Sequence, residues 1–227
     1  MDIFDRLKAA ASVEWESYVD HAFVRKLGEG TLPQAAFVTY LQQDYLFLIQ
    51  FARAYALATY KSRTLADMRA ANAGVAAILG EMDLHVRLCG RWGVSPQDLE
   101  AIPEHQATVA YTRFVLDCGM SGDLLDLHVA LSPCVIGYAE IGSKLAANAE
   151  ARLVDHPYRE WIGEYAGEGY QAVARTSRAH LDDLAARAMT ERRFVELADI
   201  FAKASRLEAD FWQMGLDAAG GGQGLRQ

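Results

Sequence analysis

Helical periodicity runs through almost the whole chain of 227 residues, and this pattern restricts the fold more than any other feature. Apolar residues recur at intervals of three and four positions, whereas the strict apolar–polar alternation of half-buried strands is absent. Glycine and proline cluster at a few sites, so the breaks between helices are short. Because 52% of the residues are hydrophobic, the chain can bury one sizeable core. The sequence predicts an all-α helical bundle with long antiparallel helices.

Capping patterns and helix breakers set the predicted helix boundaries. Thr31 precedes Pro33 and is an N-cap candidate for the second long segment, and Ser95 precedes a further proline in the same way. The predicted helices cover about residues 3–19, 20–27, 33–62, 65–92, 105–117, 124–148, 157–188 and 190–217. A short helical turn is expected directly after Ser95.

The chain lacks an internal linker, a repeat and a low-complexity tract before its last ten residues. We therefore predict a single domain over residues 1–217. Residues 218–227 are rich in glycine and are predicted to form a disordered tail.

Charge and composition restrict the partners of the chain. Its formal net charge is −8, and it has no long Lys/Arg cluster, which argues against binding to nucleic acid. It has no run of about 18 apolar residues free of charge, and the N-terminus lacks a signal-peptide pattern, so no membrane segment is predicted. The three cysteines, Cys89, Cys118 and Cys134, show no metal-ligand spacing. Free thiols in a reducing cytoplasm are expected, with Cys89 and Cys118 as packing residues.

Cys134 has the most unusual sequence context in the chain. It directly follows Pro133, which lies inside an otherwise helical apolar run. A proline there removes a backbone donor and clashes with the carbonyl of Val129, so the helix should kink. Tyr138 lies four residues later, on the same helix face as the thiol. The pattern allows either a buried structural cysteine or a reactive thiol.

Two acidic residues lie among apolar neighbours. Asp44 shares a helix face with Phe47 and Phe51, so its carboxylate needs a partner or a ligand. Glu208 precedes Phe211 by three positions, and a carboxyl group packed against aromatic rings suits a general acid. A solvated acid or a surface ion pair remains open for both positions.

Aromatic residues recur at helical spacing, as in Tyr111 and in the pair Trp161 and Tyr165. Each can be a core residue. Together with a thiol and two acids, they would suit a flat, polar, aromatic ligand.

Glu81 and His85 are separated by four positions, a spacing that fits half of a carboxylate-bridged di-metal site. Glu140 and His180 would have to supply the other half, although neither belongs to a Glu-x-x-His motif. A helix-stabilising hydrogen bond is the simpler role for the first pair. A di-metal oxidase therefore stays an alternative to a metal-free enzyme.

The ordered set of these motifs resembles the TenA/THI-4 family, the thiaminase II or aminopyrimidine aminohydrolase enzymes. The motifs that carry the resemblance are residues 40–46, 54–58, 81–85, 132–134, 137–138, 161–162, 165–166, 208 and 211–212. They span almost the whole chain in the order of the family. The resemblance implies a haem-oxygenase-like all-α fold and a homotetramer.

The family pattern also implies roles for individual residues. Cys134 matches the nucleophile, Glu208 the acid that engages the pyrimidine ring, and Asp44 the acid that holds its exocyclic amine. Phe47 stands where many members carry a tyrosine, so one hydroxyl of the pocket is missing. The remaining matches are pocket aromatics: Tyr111, Tyr138, Tyr165 and Phe211.

The implied activity is a cofactor-free hydrolysis in thiamin salvage. The substrate would be 4-amino-5-aminomethyl-2-methylpyrimidine or thiamin, and the product 4-amino-5-hydroxymethyl-2-methylpyrimidine. Nucleophilic catalysis by a cysteine is expected because sulfur adds readily and also leaves readily. Besides the di-metal oxidase, a regulatory protein and a pyrimidine-binding protein without turnover remain alternatives.

Overall fold

The structure is a computed structural model that describes residues 1–148 and 155–220. Throughout these residues the secondary structure is α-helical, without strands, which confirms the all-α prediction. The helices are α1 Ile3–Ala10, α2 Ser12–Val19, α3 Ala22–Gly28, α4 Gln34–Lys61, α5 Leu65–Arg91, α6 Pro96–Ala101, α7 Gln106–Ser121, α8 Leu124–Ala146, α9 Arg159–Ala166, α10 Glu168–Ala188 and α11 Glu191–Gly220.

The chain divides into two compact units. The first unit comprises Met1–Leu32 and His128–Trp212, and the second comprises Pro33–Leu127 and Gln213–Gln227. The prediction of a single domain stays a prediction.

Aromatic rings fill the core of the first unit. Phe201 on α11 stacks on Trp15 with ring centroids 5.5 Å apart, and Phe4 meets both rings edge-on. Phe23 on α3 stacks on Trp212 with centroids 4.8 Å apart. Each such pair stabilises the fold by about 0.5–1.5 kcal/mol beyond the burial of its area. These contacts hold the three N-terminal helices on α11.

In the second unit, α5 and α7 both pack against α4. A Cβ atom at Gly74 of α5 would lie 2.3 Å from the Tyr55 ring of α4, so only glycine permits this close approach. At the end of α4, Lys61 donates to the carbonyl of Gly122 over 2.6 Å. The unit is thus a helical layer centred on α4.

Two predicted helices are interrupted in the structure. The segment predicted over 3–19 breaks at Ala11, whose φ and ψ are −121° and 38°. A continuous helix would separate positions 4 and 15 by about 16 Å along its axis. The Phe4 and Trp15 rings instead lie 5.4 Å apart, so the aromatic core requires the break.

The segment predicted over 157–188 breaks at Gly167, where ψ is 148°. Gln171 explains why the break is stable, because its side-chain amide donates to the carbonyl of Tyr165 at the end of α9. The same amide reaches the carbonyl of Ala139 on α8. A side chain therefore replaces the backbone donor that a continuous helix would have supplied.

Capping predictions gave mixed results. Ser95 forms a capping box with Asp98 at the start of α6, as predicted. Thr31 does not cap α4, because Pro33 occupies the N-cap position and Thr31 donates to the Glu29 carboxylate. The last helix extends to Gly220, three residues beyond the predicted end, and residues 221–227 of the predicted tail lie outside the described residues.

Among the described residues, α8 alone has the length and apolar composition needed to cross a membrane. Of the most apolar stretch of 18 residues in α8, 83% is buried inside the protein. Such burial is what the central helix of a folded domain requires.

Candidate active site

The region around Cys134 compensates for the proline that precedes it. Pro133 has no N–H to donate to the carbonyl of Val129, and the Ser132 hydroxyl donates to that carbonyl instead, over 2.8 Å. The Tyr18 hydroxyl donates to the carbonyl of Pro133 over 3.3 Å. Helix α8 consequently continues through Pro133 from Leu124 to Ala146.

A glycine one turn after the proline gives Tyr18 room to reach this carbonyl. A Cβ atom at Gly137 would lie 2.5 Å from ring carbon Cε1 of Tyr18 and 2.7 Å from its hydroxyl oxygen. A larger residue at position 137 would therefore displace the tyrosine. The segment that carries the thiol is held by a proline, a glycine and a buried tyrosine.

The three cysteines differ in exposure. Cys134 is half-buried, whereas Cys89 and Cys118 are buried, and none of these three described residues forms a disulfide. Burial, helped by the negative charge of Asp44, raises the pKa of Cys89 to about 11. Because the thiolate is the reactive form of cysteine, Cys89 is a poor nucleophile at neutral pH.

Aromatic rings surround Tyr138, which lies one turn after Cys134. The Tyr138 ring lies 5.0 Å from that of Tyr165 on α9 and 5.3 Å from that of Trp212 on α11. Trp161 completes the group, with its ring centroid 4.5 Å from that of Tyr165. The first unit therefore brings together two of the predicted pocket tyrosines.

Glu208 and Phe211 lie on α11 in the first unit, and both side chains are buried. Glu208 is 1% exposed and Phe211 is 2% exposed. Glu208 is thus a buried acid. Its packing against aromatic rings and the chemical roles of both residues stay predictions.

Asp44 lies on α4 in the second unit and is 4% exposed. Tyr40, one turn earlier, donates its hydroxyl to Oδ2 of Asp44 over 3.1 Å. His85 of α5 contacts the same oxygen through Nε2. The sequence predicted that this carboxylate needs a partner. It has two partners, the Tyr40 hydroxyl and the His85 ring, and both contact Oδ2.

His85 is fully buried, and its pKa reflects competing effects. Burial by itself lowers the pKa, whereas the charge and hydrogen bond of Asp44, together with Glu81, raise it to about 9. Nδ1 of His85 lies 3.1 Å from the backbone carbonyl oxygen of Glu81. The i, i+4 relation between the two residues is thus a backbone hydrogen bond, which was the simpler of the two roles predicted.

The second unit also brings Phe47 and Tyr111 together. Their ring centroids are 5.0 Å apart, and Phe51 stacks on Phe47 at the same distance. Phe47 therefore contributes a ring to this cluster, without a hydroxyl of its own.

Gln43 fixes α7, the helix that carries Tyr111. Its side-chain oxygen accepts from the backbone N–H of His105 and from the Thr108 hydroxyl, over 2.8 and 2.7 Å. Its side-chain nitrogen donates to the carbonyl of Pro103 over 3.0 Å. Gln43 and the partnership of Asp44 with His85 were missed by the sequence analysis. The Tyr40–Asp44 pair, in contrast, is visible as an i, i+4 spacing.

The candidate residues are thus distributed over both units. Cys134, Tyr138, Tyr165, Glu208 and Phe211 belong to the first unit, and Asp44, Phe47 and Tyr111 belong to the second. Their convergence on one cavity stays a prediction.

The residues of the di-metal alternative have other partners. Glu140 pairs with Lys8 over 2.8 Å, and the His180 ring contacts the His128 ring with centroids 4.7 Å apart. Within residues 1–148 and 155–220, no group of three or more His, Cys, Asp or Glu side chains is arranged to hold a metal ion. This arrangement gives the di-metal oxidase no support.

The TENA/THI-4/PQQC family model matches residues 9–218. The chain belongs to this family.

Individual relatives cover nearly the whole chain. An aminopyrimidine aminohydrolase from Halalkalibacterium halodurans is 40% identical over 88% of this chain and 89% of its own. An uncharacterized protein from Haemophilus influenzae is 38% identical over 96% of this chain and its own full length. A crystal structure of a TenA family transcription regulator from Silicibacter is 46% identical, with a TM-score of 0.89 over 94% of this chain and 96% of that one.

Proposed function

We propose that this chain is a hydrolase of thiamin salvage, an aminopyrimidine aminohydrolase of the thiaminase II type. It would convert 4-amino-5-aminomethyl-2-methylpyrimidine, and thiamin, to 4-amino-5-hydroxymethyl-2-methylpyrimidine. Relatives of that name from three bacteria, 29–40% identical over 88–94% of the chain, support the assignment. The structural observation that carries it is Cys134, a half-buried cysteine in a helical segment that Tyr18 holds at Pro133 and that continues to the ring contact of Tyr138 with Tyr165.

The first steps of the proposed mechanism make the ring electron-poor and then add sulfur to it. Glu208 protonates a ring nitrogen, and the Cys134 thiolate forms a C–S bond at the adjacent ring carbon. Asp44 accepts a hydrogen bond from the exocyclic amino group and so fixes the ring. Sulfur suits this step because it is a strong nucleophile and leaves again readily.

The later steps exchange the substituent and restore the ring. The electron pair gained by the ring expels the protonated amine from the 5-methylene group as ammonia, which leaves an exocyclic methylene. Water adds to this methylene carbon and gives up a proton, the C–S bond breaks to release the thiolate, and the ring nitrogen returns its proton to Glu208. The sum is one water consumed and one ammonia and one proton released, with the thiolate and the acid regenerated.

The aromatic residues would hold the planar ring and exclude water until the amine has left. Tyr138, Tyr165 and Phe211 belong to one unit, and Tyr111 and Phe47 to the other. The missing hydroxyl at Phe47 removes one hydrogen bond and is expected to affect affinity more than the chemical step. No cofactor takes part in these steps.

Ammonia release from the purified chain tests the proposal directly. Steady ammonia production from 4-amino-5-aminomethyl-2-methylpyrimidine, with formation of the hydroxymethyl product, would support it. Release of the thiazole from thiamin would be followed in parallel to rank the two substrates. If neither substrate is consumed under any condition in which the product binds, the chain is a binding protein instead.

A regulatory protein is the second candidate, because the similar Silicibacter structure is that of a TenA family transcription regulator. We further propose a cytoplasmic homotetramer, following the family resemblance. Sedimentation equilibrium at four times the chain mass of 25.0 kDa would support the tetramer.

A further inference from the structure

His85 is a fully buried ionisable side chain in contact with the candidate acid Asp44, and the mechanism above gives it no role. Its side chain is 0% exposed and its two ring nitrogens face two oxygen atoms. Nε2 contacts Oδ2 of Asp44, and Nδ1 lies 3.1 Å from the carbonyl oxygen of Glu81. A carbonyl oxygen and an ionised carboxylate oxygen both accept, so beside an ionised Asp44 each ring nitrogen carries a hydrogen. The raised pKa of His85 agrees with this imidazolium form.

A buried imidazolium fixes the charge of its partner. Burying an unpaired carboxylate is costly, and Asp44 is 4% exposed. The positive charge of His85 and the hydroxyl donated by Tyr40 stabilise its negative charge. The pair as a whole is neutral, which makes its burial tolerable.

The two bonds also orient the carboxylate. Tyr40 and His85 both bind Oδ2, and Asp44 has no hydrogen bond at Oδ1 from the described residues. Oδ1 is therefore the oxygen that a ligand's amino group would find. Because this carboxylate is ionised, it can accept a hydrogen bond but cannot donate one.

We propose that His85 is a positioning residue that makes the site selective for a 4-aminopyrimidine over a 4-oxopyrimidine. It keeps Asp44 anionic and presents Oδ1 as a pure acceptor, which matches an amino group and repels an oxo group. This inference rests on the proposed function, because it assigns Asp44 to the exocyclic amine of the substrate.

The other titratable groups that face the pair support this charge state. On α4, the neutral Tyr40 hydroxyl donates to Asp44. On α5, Glu81 adds a negative charge that favours the imidazolium. Cys89 also lies near Asp44, and because burial raises the pKa of its thiol to about 11, it adds no second negative charge at neutral pH.

The test measures binding of the 4-amino product and of its 4-oxo analogue by calorimetry at pH 7. The proteins are the wild type, His85→Gln, Asp44→Asn and the double variant. His21→Gln, which changes an N-cap histidine of α3 in the other unit, is the matched control. In wild type we expect clear selectivity for the amino compound. In His85→Gln this selectivity should fall by about 10- to 100-fold, as for the loss of one hydrogen bond to a charged group.

A purely structural role for His85 would change both affinities alike and leave their ratio intact, and that result would overturn the inference. The double variant gives a second criterion: it should be no less selective than Asp44→Asn alone, because His85 acts through the charge of Asp44. Additive losses would contradict the proposed coupling.

Nuclear magnetic resonance of the His85 ring nitrogens is measured on the wild type, so the result does not depend on whether a variant folds. We expect both His85 nitrogens of the wild type to carry hydrogen from pH 6 to 8, and a neutral ring in this range would refute the inference.

The outcomes of these experiments also separate the proposed role of His85 from the proposed hydrolase function. If wild type binds the amino product with selectivity but releases no ammonia, the hydrolase assignment fails while the role of His85 stands.

Discussion

The segment around Cys134 and the pair of Asp44 with His85 position a reactive group in different ways. Cys134 depends on steric constraints, namely a proline inside a helix, a glycine one turn later and a tyrosine that fits against both. Asp44 depends on electrostatics, namely a buried cation and a hydroxyl on one of its oxygens. A thiol must move onto a carbon atom and leave it again, whereas a binding carboxylate only has to keep its charge and direction. The comparison indicates that packing holds the group proposed to react, whereas charge pairing holds the group proposed to bind.

The largest expected effect tests the thiol. Replacing Cys134→Ala should lower turnover by about 10⁴-fold or more, because no other group can form the covalent intermediate. Binding of the hydroxymethyl product should stay within a few-fold of wild type. Cys118→Ala, a buried thiol without a proposed role, is the control and should retain its activity in the ammonia assay. Near-normal turnover of Cys134→Ala would rule out covalent catalysis.

The second largest expected effect tests Glu208, the acid in the same unit as Cys134. Glu208→Gln should lower turnover by about 10²–10⁴-fold, the usual cost of losing a general acid. Glu196→Gln, on the exposed face of the same helix, should be neutral. If Glu208→Gln raised the KM alone and left kcat intact, Glu208 would be a binding residue like Asp44, and the contrast between the two units would be weaker.

The charge pair predicts a loss of stability at alkaline pH. The pKa of His85 is raised from 6.5 to about 9, so the folded state binds a proton that the unfolded state has released between these values. The contribution of the pair to the free energy of unfolding is therefore complete below pH 6.5 and is lost as the pH rises through 9. Each kcal/mol lost should lower the Tm by about 2–4 °C.

Thermal melts of wild type and His85→Gln between pH 6 and 9 would measure this contribution. The difference between the two proteins should shrink with rising pH, since both then lack the imidazolium. A difference that stays constant over this range would mean that the pair contributes packing and no charge.

The smallest expected effect tests steric positioning. Gly137→Ala would place a methyl group 2.5 Å from the Tyr18 ring, and such overpacking costs about 1–3 kcal/mol. Gly163→Ala is the matched control, because the Cβ at that helical position has no neighbour within 4 Å and should stabilise α9 slightly. Urea unfolding of both variants gives the comparison. Equal stability of the two variants would show that the Tyr18 side chain adapts freely. The helical segment around Cys134 would then not be held rigidly by this contact.

Local sequence signals predicted much of the secondary structure and only part of the candidate site. The capping box at Ser95 and the course of α4, α5 and α8 follow from nearest-neighbour patterns. The break at Ala11 could not be predicted, because its cause is the packing of aromatic rings on α11, far away in the chain. The partner of Asp44 was missed for the same reason, since His85 lies 41 positions later and nothing in either segment identifies the other.

The sequence by itself determined that the chain is helical, that a thiol follows a proline inside an apolar helix, and that two acids lie among apolar residues. These properties are local, because periodicity and backbone chemistry depend on neighbours within one or two turns. Only the tertiary structure decided the contact of His85 with Asp44, the choice of Oδ2 for that contact and the fit of Tyr18 against Gly137. Each of these depends on burial and on the distance between atoms from different helices, and the order of residues along a chain does not contain that information in any local form.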